Sequence, residues 1–233
     1  MNVWKTIAAA SALALGAGEV SASTYDVSYQ YGSDIFNGNA KGTVTLSGDA
    51  VNGSPNVYAG GFALTAAGLG DFVAWCLDVG ANIFTGDSSQ YKETSDPFAN
   101  SLTLGQPTIT NITRLFDQYY DPSAGSNVLN DTTQATAFQT TLWKLVYGED
   151  LEISNFNPSG ASVLSSEMYD FVTNTENDIA RVWNLTFLES TADSRSQNLV
   201  TATVIPLPAA GWLLVTGLGG LALVARRRKS AAT

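Results

Sequence analysis

The sequence predicts an α+β fold: an antiparallel β-sandwich or barrel-like sheet with an inserted helical segment, plus an N-terminal signal peptide and a C-terminal transmembrane sorting helix. Three observations predict it. Short alternating segments separated by Gly- and Asn-rich turns fill the first part of the chain and return near its end. Between them, apolar residues recur at helical spacing. An uncharged apolar run stands at each end beside a basic group.

The strands come first. Residues 25–31 alternate, and Thr43, Val44, Thr45 and Leu46 form a second strand within 42–47. A third covers 61–65 and a fourth 72–79, with turns at Asn37-Gly38-Asn39 and Asn52-Gly53-Ser54-Pro55. From Pro107 the period changes: Ile109, Ile112, Leu115, Phe116 and Tyr119 define a helix that Asp121-Pro122 breaks. The next helix has Asp131 as its cap, Gln134 completing a capping box, and Gly148 as its stop. Its apolar stripe is Ala135, Phe138, Leu142, Leu145 and Val146. A third helix lies within 161–174. Segments 182–189 and 198–205 return to strand character as a closing antiparallel pair.

The ends are addresses. Lys5, the apolar run 7–17 and Val20-Ser21-Ala22 make residues 1–22 a secretory signal, with cleavage expected after Ala22. Residues 23–203 are then the ectodomain and 204–233 a separate C-terminal segment. That segment carries Ile205-Pro206-Leu207-Pro208-Ala209, an uncharged stretch 209–225 and the basic stop Arg226, Arg227, Arg228 and Lys229. The stretch is just long enough to span a bilayer, and the basic group stays cytoplasmic.

Composition narrows the chemistry. The chain has 233 residues, 45% hydrophobic and 14% charged, which argues against disorder. It has no histidine, so Ser-His-Asp triads, Cys-His dyads and His-containing zinc sites are excluded. One cysteine allows no internal disulfide and no Cys-cluster metal site. No cofactor or metal is expected. From residue 23 to 205 there are 20 Asp/Glu against six Lys/Arg, a surface that repels phosphate backbones and excludes nucleic acid as a partner. No paired-carboxylate motif marks a glycosidase.

Two residues in the body stand out. Cys76 lies in a segment apolar on both faces, Phe72-Val73-Ala74-Trp75-Cys76-Leu77-Asp78-Val79, so burial is expected. An unpaired cysteine in an exported protein calls for either concealment or a covalent cap. Gln139 has Ala135, Leu142 and Trp143 as its helical neighbours, which puts an amide on or beside the apolar face. A buried amide without partners costs about 1–3 kcal/mol. A thiol can attack a glutamine amide, expel ammonia and leave an intramolecular thioester, given a positioned pair and little water. The other reading of the same two residues is an inert buried thiol and a hydrogen-bonded amide.

Two resemblances follow from these motifs. The order Pro206, Leu207, Pro208, Ala209, apolar helix and basic cluster resembles the PEP-CTERM sorting signal in its VPLPA-CTERM variant, with Ile205 in place of Val. That resemblance implies processing by an exosortase. It also implies inner-membrane anchoring through the C-terminal helix before processing, and then a place at the cell surface or in a biofilm matrix. Trp75-Cys76-Leu77-Asp78 and Phe138-Gln139-Thr140-Thr141-Leu142-Trp143 resemble the two motifs of bacterial Cys-Gln thioester domains, with Phe138 and Thr141 departing from the pattern. By that match Cys76 and Gln139 are the bond partners, and Asp78 and Trp143 support them. The implied role is adhesion to an amine-bearing surface partner or extracellular polysaccharide, in a single-use reaction that is not enzymatic. The alternative is a non-reactive structural protein associated with extracellular polysaccharide.

Overall fold

A computed structural model describes residues 23–30, 35–51, 55–79, 88–99, 102–125, 127–191 and 196–205. The signal segment 1–22 lies outside these residues. So do Pro206 and everything after it, including the rest of the sorting motif, the 209–225 stretch and the basic stop. Among the described residues no helix is long and apolar enough to cross a membrane.

The strands are β1 (Thr24–Tyr29), β2 (Phe36–Ser47), β3 (Asn56–Ala66), β4 (Gly70–Cys76), β5 (Ser89–Thr94), β6 (Phe98–Ala99), β7 (Leu102–Thr103), β8 (Glu152–Asn157), β9 (Trp183–Ser190) and β10 (Leu199–Val204). The helices are α1 (Gln106–Tyr119), α2 (Thr132–Tyr147) and α3 (Gly160–Thr173), with a short 3-10 turn at Gly148–Asp150. The main sheet runs β1-β5-β9-β10-β4-β3-β2-β8, and β1 also pairs with β3. That last pairing, with Val27 opposite Ala66 and Tyr29 opposite Leu64, closes β1, β5, β9, β10, β4 and β3 into a barrel. Closure removes the open edges from these six strands. β2 and β8 continue the sheet outward from β3.

The architecture is therefore the barrel of the two expected alternatives, with the helical segment inserted between β7 and β9. Several bounds differ from the sequence reading. β2 and β3 are longer than their apolar alternation; in β2 an irregularity between Phe36 and Lys41 scrambles the pattern. β4 stops at Cys76, leaving Leu77 and Asp78 outside the strand. β5 and β8 alternate too weakly to be seen in sequence; in β8 only Ile153 and Phe156 are even half-buried. The closing pair 182–189 and 198–205 is present as β9 and β10, antiparallel from Leu188 opposite Leu199 to Trp183 opposite Val204.

α2 is the hub. The Asp131 side chain accepts the Gln134 N–H at 2.9 Å, and Gly148 ends the helix in a positive-φ conformation (φ 59°). Every residue from Ala135 to Trp143 is buried. A helix covered all round belongs inside a protein. One side packs on β2 and β3, another on α3, and α1 lies alongside. Thr140 and Thr141 both hydrogen-bond the Ser165 hydroxyl of α3 at 3.0 Å and also donate back to carbonyls of their own helix, so these buried hydroxyls are satisfied.

An aromatic cluster locks α2 onto the barrel. The Phe138 ring sits 4.5 Å from that of Trp75 on β4 and 5.0 Å, edge-on, from Phe116 on α1. Tyr120 continues the stack to Trp183 of β9 at 5.0 Å. Such pairs contribute about 0.5–1.5 kcal/mol each beyond area burial. Phe138 thus packs on the residue that precedes Cys76, and this fixes Gln139 beside Cys76.

Candidate functional site

Cys76 is the last residue of β4 and is 3% exposed. Gln139 is fully buried one residue beyond Phe138. The two do meet, but through the cysteine backbone. Gln139 Oε1 accepts the Cys76 N–H at 3.0 Å, and Gln139 Nε2 donates to the Cys76 carbonyl at 2.9 Å. The side-chain amide acts as a one-residue strand neighbour, pairing both backbone groups of Cys76 at once. That arrangement satisfies the buried amide the sequence flags and pins the end of β4.

The thiol points elsewhere. Cys76 Sγ donates to the Oε1 of Gln197, a residue the sequence reading passes over. The sheet explains the encounter. β10 pairs with β4 with Leu199 opposite Cys76 and Val200 opposite Trp75. Continuing that antiparallel register puts Gln197 opposite Asp78, diagonal to Cys76 and on the same face. The pairing persists past the strand end: the Leu77 N–H donates to the Asn198 carbonyl at 2.9 Å.

Asp78 holds this segment. It is 4% exposed, and its Oδ2 accepts the Asn198 N–H at 2.6 Å. The Gln197 Nε2 donates to the Asp78 carbonyl at 3.4 Å, which turns the Oε1 toward the thiol. From the other side Tyr91 Oη donates to the Gln197 carbonyl at 3.0 Å, and Ser196 meets Ser89 at 3.2 Å. The Gln197 backbone is thus fixed from two directions, while its side chain is half-buried and is the exposed member of the pair.

Most of the surrounding side chains are buried. Burial, with the Asp78 charge adding to it, pushes the Cys76 thiol well above its ordinary range, so it stays protonated. Burial and the neighbouring thiol push Tyr29 up to about 12. Tyr91 and Tyr147 are raised further, mainly by burial, and both feel Cys76 and Asp78. Trp143, on the same helical face as Gln139, is 2% exposed, and among the described residues its indole N–H finds no partner. Among the described residues no group of His, Cys, Asp and Glu could hold a metal ion. A 520 Å³ cavity lies away from this site, between α2, α3 and β8, lined by Lys144, Glu149, Asp150, Glu152, Phe156 and Tyr169 among others.

The arrangement can do one thing chemically. A buried thiol in contact with a half-buried carboxamide is placed to exchange sulfur for nitrogen at that carbonyl. Gln139 contributes by holding the sulfur-bearing residue still.

No family model and no curated protein sequence matches the chain. The solved structures that resemble it include bacterial thioester domains. One is the N-terminal domain of the Streptococcus pyogenes pilus tip adhesin Cpa. It is 15% identical with a TM-score of 0.44, and the match covers 77% of this chain and 99% of that one. Another is the N-terminal thioester domain of the fibronectin-binding protein SfbI from Streptococcus pyogenes, at 11% identity and TM-score 0.42, covering 77% and 98%. A third is the N-terminal thioester domain of a surface protein from Clostridium perfringens, at 13% identity and TM-score 0.42, covering 71% and 99%.

Proposed function

We propose that this chain is an exported surface or matrix protein whose barrel domain carries an internal thioester between Cys76 and Gln197, and that it attaches covalently through that bond. The observation that carries the reading is the contact of the buried Cys76 thiol with the Gln197 carboxamide. Gln139, the partner expected from the sequence motif, has both its polar atoms on the cysteine backbone. Gln139 is a positioning residue in this account, Asp78 orients the Gln197 segment, and Trp143 walls the pocket.

The nucleophile that opens the bond is an amine. With no histidine in the chain, no acyl-imidazole can relay the acyl group to a weak nucleophile. The tyrosines around the site are held protonated and offer no base for a hydroxyl. An unprotonated amine needs neither. It enters from the Gln197 side, where the site is half-exposed. The product is a stable amide between Gln197 and the partner, so the reaction occurs once per molecule.

Delivery to the surface rests on the two ends of the sequence. The 1–22 signal exports the chain, and the 209–225 helix and basic stop hold it in the inner membrane. An exosortase then acts at Pro206, Leu207, Pro208 and Ala209. β10 runs to Val204, and the Ile205 N–H still bonds the Val182 carbonyl at 3.0 Å, so the folded body reaches the edge of this motif.

A second reading is favoured by the same thiol contact taken at face value. A Cys76 donating to Gln197 is a satisfied buried polar group, and the protein is then a non-reactive matrix component. Methylamine separates the two. The reactive reading expects the ectodomain, purified without amines, to weigh one ammonia less than its sequence and to gain one methylamine on exposure. Cys76→Ala then abolishes both the mass deficit and covalent capture of an amine-bearing surface without unfolding the domain. A full sequence mass with unmodified Gln197 and a free Cys76 thiol, in folded protein, refutes it.

A further inference from the structure

We propose that the cavity between α2, α3 and β8 is a reversible binding site for an amino sugar, the protonated amine-bearing unit of an extracellular polysaccharide. It is a second site, away from Cys76, and it stands whether or not the thioester forms. Its volume of 520 Å³ is that of a small-ligand pocket. Three elements build it. On α3, Ser162, Ser165, Ser166, Tyr169 and Asp170 line it from one side of the helix, while Ala161, Met168 and Val172 bury the adjoining face. β8 adds Glu152 and the half-buried Phe156, and the turn after α2 adds Glu149 and Asp150. A glycine at 48 permits this arrangement. Its φ is 116°, and a Cβ there would collide with the Asp150 carbonyl oxygen, so the backbone at Gly48 lets the Asp150 turn close on the end of β2.

The lining selects a sugar. Phe156 and Tyr169 offer half-buried ring faces, against which the apolar C–H surface of a sugar ring packs. The Ser165 hydroxyl is buried and held at 3.0 Å by Thr140 and Thr141, so it is a fixed polar group on the inner wall. Ser162 and Ser166 add hydroxyls at the exposed edge. Apolar walls with a few placed hydroxyls suit a compact ligand that carries hydroxyls of its own.

The charge selects its sign. Glu149, Asp150, Glu152 and Asp170 line the cavity against a single cation, Lys144, which is already paired with Glu149 at 3.3 Å. Among the described residues no cation pairs with Asp150, Glu152 or Asp170. An acidic polysaccharide is repelled by this lining, and a neutral one gains nothing from its charge. A protonated amine gains from the carboxylates and from the aromatic faces beside them. Binding here is non-covalent and gives the protein a foothold on a cationic polysaccharide.

The experiment titrates the ectodomain with a glucosamine disaccharide at mildly acidic pH, where the sugar amines are protonated. The protein is first treated with methylamine, so no thioester competes for the amine and the result does not depend on the thioester reading. Amide chemical shifts give both the affinity and the location. Saturable binding is expected, with the largest shifts at Asp150, Ser162, Ser166 and Tyr169. The N-acetylated disaccharide keeps the rings and loses the charge, and should bind about tenfold more weakly. Asp150→Asn combined with Asp170→Asn, both at exposed positions, should weaken binding of the charged disaccharide about threefold to tenfold at an unchanged melting temperature. No saturation by about 10 mM, shifts confined to other surfaces, or equal affinity for the two disaccharides overturns the proposal. The disaccharide comparison uses wild type alone, so it decides the matter even where the double variant does not fold. Trilysine carries amines without a sugar ring. Weaker binding than the disaccharide supports the polysaccharide, and equal or tighter binding overturns the sugar assignment in favour of a basic protein partner.

Discussion

Replacing Gln139 by Leu separates the two roles a glutamine can have at this site. The change removes both hydrogen bonds to Cys76 while keeping the side-chain bulk. It leaves the Cys76 N–H and carbonyl buried at the end of β4 without their 3.0 and 2.9 Å partners. Each orphaned group costs about 1–3 kcal/mol, so the expected loss is about 2–6 kcal/mol. For a domain of this size one kcal/mol is worth about 2–4 °C, which puts the melting temperature about 4–24 °C lower by thermal circular dichroism. The mass deficit of one ammonia should persist below the new melting point, because the acyl carbon belongs to Gln197. Two results would refute the reasoning. A melting temperature unchanged within 1 °C would mean that the backbone clamp contributes nothing. A methylamine adduct mapped to Gln139 in the parent domain, with Gln197 still an amide, would return the acyl role to Gln139.

Two further predictions concern stability. Gln197→Ala leaves Cys76 as a free thiol whose folded pKa is raised above the ordinary value of about 8.5. Above that value the unfolded chain loses its proton more readily than the native one, so stability present below about pH 8.5 is lost as pH rises further. Wild type, with sulfur bound as thioester, should lack this decline until tyrosine ionisation sets in above about pH 10; paired melts from pH 7 to 10 measure the difference. Asp131→Ala removes the cap that accepts the Gln134 N–H at 2.9 Å, and should cost about 1 kcal/mol, read as a shift of about 2–4 °C with the methylamine rate unchanged.

Much of this fold is legible in the sequence because local chemistry decides it. Asp131 bounds α2 through its capping side chain and Gly148 through its freedom to take positive φ, and the alternation in 182–189 and 198–205 is strong enough to place a hairpin. The strands that escaped reading are the two-residue β6 and β7, too short to show a period, and β5 and β8, where apolar alternation is weak: in β8 most side chains remain exposed. Cys76 and Gln139 announce themselves by being polar or reactive in apolar surroundings, and they do meet. Gln197 carries no such signal. It stands in the polar stretch Ser194-Arg195-Ser196-Gln197-Asn198, and only the lateral pairing of β10 with β4 makes it the neighbour of a thiol 121 residues earlier. A pairing between strands so distant in sequence is a long-range contact that no local pattern encodes. The sequence motif identified a glutamine next to the cysteine backbone; which atom the sulfur faces is a property of the sheet.

The most direct test of the account is peptide mapping of the ectodomain, digested without amines or reductant under mildly acidic conditions. The account predicts a cross-linked pair lighter by one ammonia that joins the peptide containing Cys76 to the one containing Gln197, with the Gln139 peptide at its unmodified mass. After methylamine treatment the added mass should sit on Gln197. A link or a methylamine adduct at Gln139, or an unmodified Gln197 beside a free Cys76, would contradict it.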